Sequence, residues 1–147
     1  MQLSQNFTLD ELTHTDHREL DNTPNDIEIN NLKRLAEFLE QVKTVLGGKP
    51  VMINSAFRSK AVNDAVGSKD SSQHRVGCAA DLRIPGMMPD EVVKAIIASG
   101  IGYDQVIREF ATPTGGGWTH VSVPNEPMGA PRRQALIIDK QGTRAYS

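Results

Sequence analysis

One stretch of the chain carries a regular apolar pattern that is typical of a long amphipathic helix. From about Ile27 to Leu46, apolar side chains recur at helical spacing and form a single stripe, made of Leu32, Leu35, Ala36, Leu39, Val42 and Leu46. The pair Gly47-Gly48 ends the pattern, because glycine readily takes the left-handed conformation that follows a helix. The sequence therefore predicts one long helix with a buried face.

The remaining elements are shorter, and their order predicts the fold class. A capping box from Thr8 to Glu11 predicts a short first helix, and Pro89 to Ser99 predicts a further helix that ends at Gly100. Residues 58–67 fit a short helix or a loop, and strands are predicted at 50–54 (buried), 78–84, 105–110, 118–123 and 134–138. Because helices come first and strands dominate later, we expect a compact α+β domain with a mainly antiparallel sheet flanked by helices.

Length and composition exclude several classes of protein. A chain of 147 residues fits a single domain spanning 1–147, and its single cysteine excludes a disulfide framework. A net charge of −2 and 5% aromatic residues argue against a nucleic-acid partner. No apolar run approaches the roughly 18 residues of a membrane span, so no membrane partner is expected. The first residues lack the features of a signal peptide, which predicts synthesis in the cytoplasm.

Polar residues of unusual density lie between Ser71 and Asp81. His74 and Asp81 flank a glycine turn that leads into a predicted strand, and His120 lies in the later apolar strand 118–123. Two imidazoles, a carboxylate and an open fourth position form a typical catalytic zinc site, whereas one cysteine excludes a closed thiolate site. From spacing alone, the same residues also fit a loop histidine, a strand-edge aspartate and a hydrogen-bonded core histidine.

The motif itself adds a family resemblance. The pattern Ser72-x-His74-x-x-Gly77-x-Ala79-x-Asp81 resembles the signature of the zinc D-alanyl-D-alanine carboxypeptidase family, which includes phage endolysins that cut L-alanyl-D-glutamate bonds. The segments 55–59 and 118–120 are similar to the family's Ser-Gly-Tyr-Arg-Ser and Trp-x-His segments, and 3–12 is similar to the start of its phage and prophage branch. The resemblance implies the α+β fold that this family shares with the hedgehog signalling domain.

The resemblance also implies roles for individual residues. His74, Asp81 and His120 would bind Zn²⁺. Arg58 would bind a substrate carboxylate or carbonyl, or stabilise the oxyanion, although a surface salt bridge is the alternative. Ser72 would order the loop that carries His74 or contact the substrate, and Trp118 would line the cleft or pack in the core.

One position departs from the family pattern. Many members have an acidic general base three residues before the last histidine, and here that position is Gly117. Glu109 is the predicted replacement, because antiparallel pairing of strands 105–110 and 118–123 would put its side chain on the same face as His120. A slip of one residue would turn Glu109 away. The weaker candidates are Asp104, Glu126 and Asp64.

These features predict a zinc metallopeptidase that hydrolyses an amide bond in peptidoglycan stem peptides. Zinc would activate water and polarise the carbonyl, and Glu109 would move the proton. A monomer is expected, acting on the cell wall after release in a phage or prophage context. The alternatives are a catalytically inactive zinc-containing domain that binds cell-wall peptides, which Gly117 favours, and a structural component of a phage particle.

Overall fold

The elements run in an α+β order, as predicted. The computed structural model describes residues 1–147. Its helices are α1 Leu9–Leu12, α2 Asp26–Val45, α3 Lys60–Ala65 and α4 Pro89–Ser99, with a 3₁₀ turn at Gln73–Val76. Its strands are β1 Met52–Ser55, β2 Ala79–Arg83, β3 Gln105–Glu109, β4 Trp118–Ser122, β5 Gln134–Asp139 and β6 Gly142–Ala145.

The two longest helices begin and end where local chemistry dictates. Asn25 caps α2: its side chain accepts a hydrogen bond from the Glu28 backbone N–H at 2.8 Å, and the Glu28 carboxylate accepts one from the Asn25 N–H at 2.9 Å. Pro89 opens α4, where the N–H that proline lacks would have no helical partner. Gly100 ends α4 at a φ of +76°, a conformation that glycine adopts without strain.

The six strands form one sheet in the order β1-β2-β4-β3-β5-β6. Every neighbouring pair is antiparallel except β3 and β5, which are parallel, so the expected mainly antiparallel sheet is confirmed. The prediction of a buried first strand is wrong: β1 lies at the sheet edge, and Met52 is 54% exposed. The sequence did not predict β6, which forms the opposite edge.

Alternation along the strands gives the sheet two different faces. Ala80, Leu82, Val106 and Val121 point to one face and join apolar side chains of α2 and α4 in one hydrophobic core. Period-two geometry then places the intervening residues of β2, β3 and β4 on the opposite face. That second face carries the candidate site.

None of the helices combines enough length with enough apolar character to cross a membrane.

Candidate metal centre and cleft

Three potential metal-binding side chains meet on the second face of the sheet. His74 lies on the 3₁₀ turn, Asp81 in β2 and His120 in β4, and the register pairs Asp81 directly with His120. All three residues are buried, and one donor atom from each lies within 4.8 Å of the others. The sheet therefore fixes two of the three donors against each other through backbone pairing.

Local turn chemistry brings the third donor, His74, to the sheet. The Ser72 hydroxyl accepts a hydrogen bond from the His74 backbone N–H at 3.2 Å, which caps the turn. Gly77 ends the turn with a φ of +79°, and a Cβ there would lie 2.9 Å from the Glu28 carbonyl oxygen. Glycine is therefore required at the point where the turn meets α2 and enters β2.

Backbone contacts also fix the orientation of the His74 ring. Its Nδ1 lies 2.6 Å from the Ala56 carbonyl oxygen, which can only accept, so Nδ1 carries the proton. The other nitrogen, Nε2, then faces Asp81, 3.3 Å from Oδ2. His120 presents Nδ1 to the same carboxylate, 3.0 Å from Oδ1. A carbonyl partner of this kind is the usual support for a metal-binding histidine.

The charge states of these groups suit metal binding. Burial opposes ionisation of Asp81, but the neighbouring His74 and His120 outweigh it and hold the pKa of the carboxyl well below its usual range. Burial lowers the pKa of His74 and so favours its neutral imidazole. Metal ions bind the carboxylate and neutral imidazole forms of these side chains.

The donor set fits a tetrahedral divalent cation. Zinc bonds to nitrogen and oxygen of about 2.0–2.2 Å place neighbouring tetrahedral donors about 3.4 Å apart. The Asp81 carboxylate oxygens already lie 3.3 and 3.0 Å from the ring nitrogens of His74 and His120. The three side chains could therefore hold a divalent cation.

Arg58 lies beside the metal donors rather than on the surface. Its Nη2 donates to Asp81 Oδ2 at 3.2 Å, its Nε to the Ser55 hydroxyl at 3.1 Å and its Nη1 to the Asn63 side-chain oxygen at 3.4 Å. The side chain is 13% exposed, and burial lowers its pKa, although a guanidinium remains charged in proteins. Arg58 therefore places a fixed positive charge next to the carboxylate donor.

The pairing of β3 with β4 decides where Glu109 points. Glu109 pairs with Trp118 and Ile107 with His120, so Glu109 and His120 share the cleft face. The nearest Glu109 oxygen lies 3.8 Å from His120 Nδ1. Burial and the nearby Asp81 charge raise the pKa of Glu109, which brings it closer to the range of a general base.

Gly117 leaves no room for the acidic side chain that the family resemblance predicts at this position. Its φ is +87°, and a Cβ would lie 2.6 Å from the Ala111 backbone nitrogen and closer still to the Glu109 carbonyl oxygen. A carboxylate cannot enter the site from residue 117 on this backbone. The partly buried carboxylate beside the candidate metal donors comes instead from Glu109 on the paired strand.

These residues open onto one cleft of about 870 Å³. Ser72 and Trp118 line it together with the three metal donors, Arg58 and Glu109. Phe110 packs against Trp118 with ring centroids 5.5 Å apart, which makes an aromatic wall at the Glu109 end. Phe110 has a φ of +52°, so the wall includes a backbone conformation that non-glycine residues rarely adopt.

Comparison with models of protein families shows which family the chain belongs to. A family model described as Peptidase M15 matches residues 5–122. The chain belongs to the Peptidase M15 family. No curated protein matches it closely enough to count as a relative. The match includes all three metal donors, Arg58 and Glu109, and it ends before β5.

Membership in Peptidase M15 makes the chain a hydrolase of the metallopeptidase class. His74, Asp81 and His120 form a cluster that could hold the metal ion of an M15 peptidase. Among the weaker carboxylate candidates, Asp64 and Glu126 are exposed and lie outside the cleft. Asp104 is buried but bonds to Arg132 rather than facing the metal donors.

Sequence reasoning missed three supports of the site. The Ala56 carbonyl orients His74, and a backbone carbonyl leaves no signal in residue type. Gln73 and Arg132 also line the cleft. The place of Gln73 next to His74 was a usable signal, whereas Arg132, in a loop without periodicity, resembled any surface arginine.

Proposed function

We propose that this M15 metallopeptidase uses zinc to hydrolyse an amide bond in peptidoglycan stem peptides, either the terminal D-Ala-D-Ala bond or the L-Ala-D-Glu bond. The observation that carries the proposal is the open set of two imidazoles and one carboxylate beside a separate, partly buried carboxylate, that of Glu109. A structural zinc site would be closed by four protein ligands, whereas a catalytic site keeps a position for water or substrate.

Zinc supplies Lewis-acid chemistry when bound, because it polarises a carbonyl and makes water more acidic. The chain's own residues divide the remaining tasks. Glu109 accepts the proton of the attacking water and delivers it to the leaving amine, a role that its raised pKa and its position near His120 support. Arg58 holds the Asp81 carboxylate in place through a hydrogen bond, and its remaining N–H groups provide positive charge near the developing oxyanion.

The substrate contacts follow from the shape of the cleft. Trp118 and Phe110 offer an apolar wall at the Glu109 end, which suits the methyl groups of alanine residues. Ser72 lines the cleft next to His74, although its hydroxyl already caps the turn. Monomeric action on the cell wall after release from a phage-infected or lysogenic cell belongs to the same proposal.

The test combines metal analysis with mass spectrometry of digested peptidoglycan. We expect the wild type to contain a stoichiometric amount of zinc and to release peptides whose masses identify the cut bond. The variant His74→Ala should lose the zinc and the activity together. His14→Ala is the matched control, because His14 is a histidine with a 46% exposed side chain outside the cleft.

Unchanged zinc content in His74→Ala would overturn the metal assignment. A zinc-loaded wild type that binds stem peptides and cleaves none of them would overturn the peptidase assignment and favour the inactive binding domain. Cleavage of proteins but not of peptidoglycan would keep the peptidase and overturn the substrate.

A further inference from the structure

The cleft has two chemically different ends, which β3 connects. Gln105, Ile107 and Glu109 all face the cleft, with Ile107 next to His120 in the register. Glu109 marks the aromatic end. Gln105 lies at the opposite end of β3, two residues from Ile107 and thus roughly 7 Å along the strand from the candidate metal donors.

Arg132 lies at the Gln105 end and is held there by a buried aspartate. Its Nε is 3.1 Å from both Asp104 carboxylate oxygens, its Nη2 is 2.6 Å from Oδ2, and its backbone N–H donates to Oδ1 at 3.0 Å. The Asp104 side chain is 4% exposed, whereas that of Arg132 is 54% exposed and lines the cleft. Asp104 therefore holds one edge of the Arg132 guanidinium, while the rest of the side chain is accessible from the cleft.

A second contact ties this end of the cleft to the metal donors. The Gln73 side-chain amide donates to Asp104 Oδ2 at 3.1 Å and to the Val123 carbonyl oxygen at 3.0 Å. Gln73 directly precedes His74 on the 3₁₀ turn. Gln73 and Arg132 both bond to Asp104, so hydrogen bonds hold the Arg132 guanidinium at a fixed place relative to His74.

The cleft contains two arginines, and they differ in what they can still bind. Arg58 is mostly buried, with 13% of its side chain exposed, and donates from all three guanidinium nitrogens to protein groups. Arg132 uses Nε and Nη2 for Asp104, with a longer contact from Nη2 to the Gln73 oxygen, while Nη1 has no protein partner. A guanidinium with one unpaired edge is suited to a carboxylate.

We propose that Arg132 binds a free carboxylate on the substrate residue that follows the cleaved bond, and that it determines specificity for such substrates. This inference rests on the proposed function and deepens it. Both candidate bonds offer that group: D-Ala-D-Ala ends in a carboxylate, and D-Glu that continues the stem through its side chain keeps its α-carboxylate free. One residue of about 3.5 Å and a hydrogen bond of about 2.9 Å together span a distance similar to that from the metal donors to the Gln105 end.

The test measures binding without turnover. Each candidate dipeptide is made with the scissile amide reduced to CH₂–NH and with the carboxyl group of interest either free or as a carboxamide. The two candidate bonds are tested as two separate pairs. One pair is based on acetyl-D-Ala-D-Ala, and the other on acetyl-L-Ala-D-Glu with its side chain amidated, so that only the α-carboxylate varies. Calorimetry on the zinc-loaded protein then gives the carboxylate preference for each pair.

We expect the wild type to prefer the free carboxylate about 10- to 100-fold in at least one pair, since a hydrogen bond to a charged group contributes about 1.5–3 kcal/mol. Arg132→Gln should abolish the preference while binding the carboxamide as the wild type does. Arg144→Gln is the matched control, because it removes an arginine that is bidentate on Asp139 outside the cleft. It should leave the preference unchanged.

Arg132→Gln leaves the buried Asp104 without its partner, so the double variant Asp104→Asn/Arg132→Gln is measured beside it. It should fold and also lack the preference. A preference that persists in either variant, or a wild type that binds both members of each pair equally or not at all, would overturn the inference. A separate hydrolysis assay on the unmodified dipeptides tests the proposed function: no cleavage despite an Arg132-dependent preference would overturn the activity and leave the carboxylate site standing.

Discussion

The two faces of the sheet are built from the same strands, yet they differ in almost every physical property. One face presents Leu82, Val106 and Val121 to the core, all fully buried and apolar. The other face presents Asp81 and His120, also buried but polar. Since neighbouring residues point in opposite directions, one step along β2 or β4 moves from the core to the candidate metal site.

This comparison shows how the molecule separates stability from chemistry. Burial of apolar area stabilises the fold from the core face. The cleft face instead desolvates carboxylates, imidazoles and a guanidinium, which is unfavourable unless they pair with one another or with a metal ion. Substitutions on the two faces should therefore separate into loss of function and loss of stability.

The largest expected effect is on the cleft face. Glu109→Gln keeps the shape of the side chain but removes the proton acceptor, so we expect kcat to fall about 10²–10⁴-fold with zinc content unchanged. Steady-state kinetics on stem peptides and metal analysis measure the two quantities. Glu126→Gln, an exposed glutamate outside the cleft, is the control. Activity within a few-fold of wild type would remove Glu109 from the mechanism.

The core face should give the opposite result. Leu82→Ala leaves a cavity beneath the sheet at a fully buried position and should lower the free energy of unfolding by about 2–5 kcal/mol. Urea unfolding measures the loss, and kcat of the remaining folded protein should stay near wild type. Met128→Ala, at a position 97% exposed, should change stability by less than about 0.5 kcal/mol. If kcat falls with stability in Leu82→Ala, the two faces are not independent.

Gly117 lies in the loop that precedes β4, where both properties should change together. Gly117→Ala forces a side chain against backbone atoms at a φ of +87° and should cost about 1–3 kcal/mol and lower activity by displacing Glu109. Gly115→Ala is the matched control, since its φ is +94° but nothing lies within 4 Å of the added Cβ. Thermal unfolding that is equal for the two variants would show that the close approach at Gly117 is unimportant.

The smallest expected effect is on the pH dependence of the free energy of unfolding, through Asp90 on α4. Hydrogen bonds from Tyr146, Lys94 and Arg108 lower the pKa of Asp90, at the start of α4, to about 2. A carboxyl with a lowered folded pKa stabilises the protein above its unfolded pKa of about 4, and this contribution is lost as the pH falls from about 4 to 2. Solvent screening limits it to less than about 1 kcal/mol. Acid unfolding of Asp90→Asn should lack this part of the pH dependence, and an unchanged profile would contradict it.

The sequence predicted those elements whose signals are local. The 3.6-residue pattern gave α2, and Pro89 and Gly100 gave both ends of α4. Residues 142–145 are all exposed and show no alternation, so no local pattern marked β6. The parallel pairing of β3 with β5 joins residues that are far apart in sequence, and strand patterns alone do not specify such partners.

The candidate site divides in the same way. Residue types and spacing indicated His74, Asp81 and His120, and strand alternation indicated Glu109, although its direction depended on a register that only the fold fixes. The Asp104–Arg132 contact joins residues 28 positions apart, one of them in an irregular loop. Nothing in the residues around Arg132 distinguishes it from other surface arginines before the chain is folded.

Because Glu109 pairs with Trp118, it lies beside Gly117, so two positions that are separated in the sequence border the same part of the cleft. A carboxylate reaches the neighbourhood of His120 from the end of β3, whereas the family resemblance predicts one at residue 117, just before β4. Gly117 lies directly against the backbone of Glu109, so the two positions serve the same region of the cleft. A glycine at residue 117 therefore still leaves a carboxylate beside His120, and candidate catalytic groups in such sheets are better compared by position in the fold than by position in the sequence.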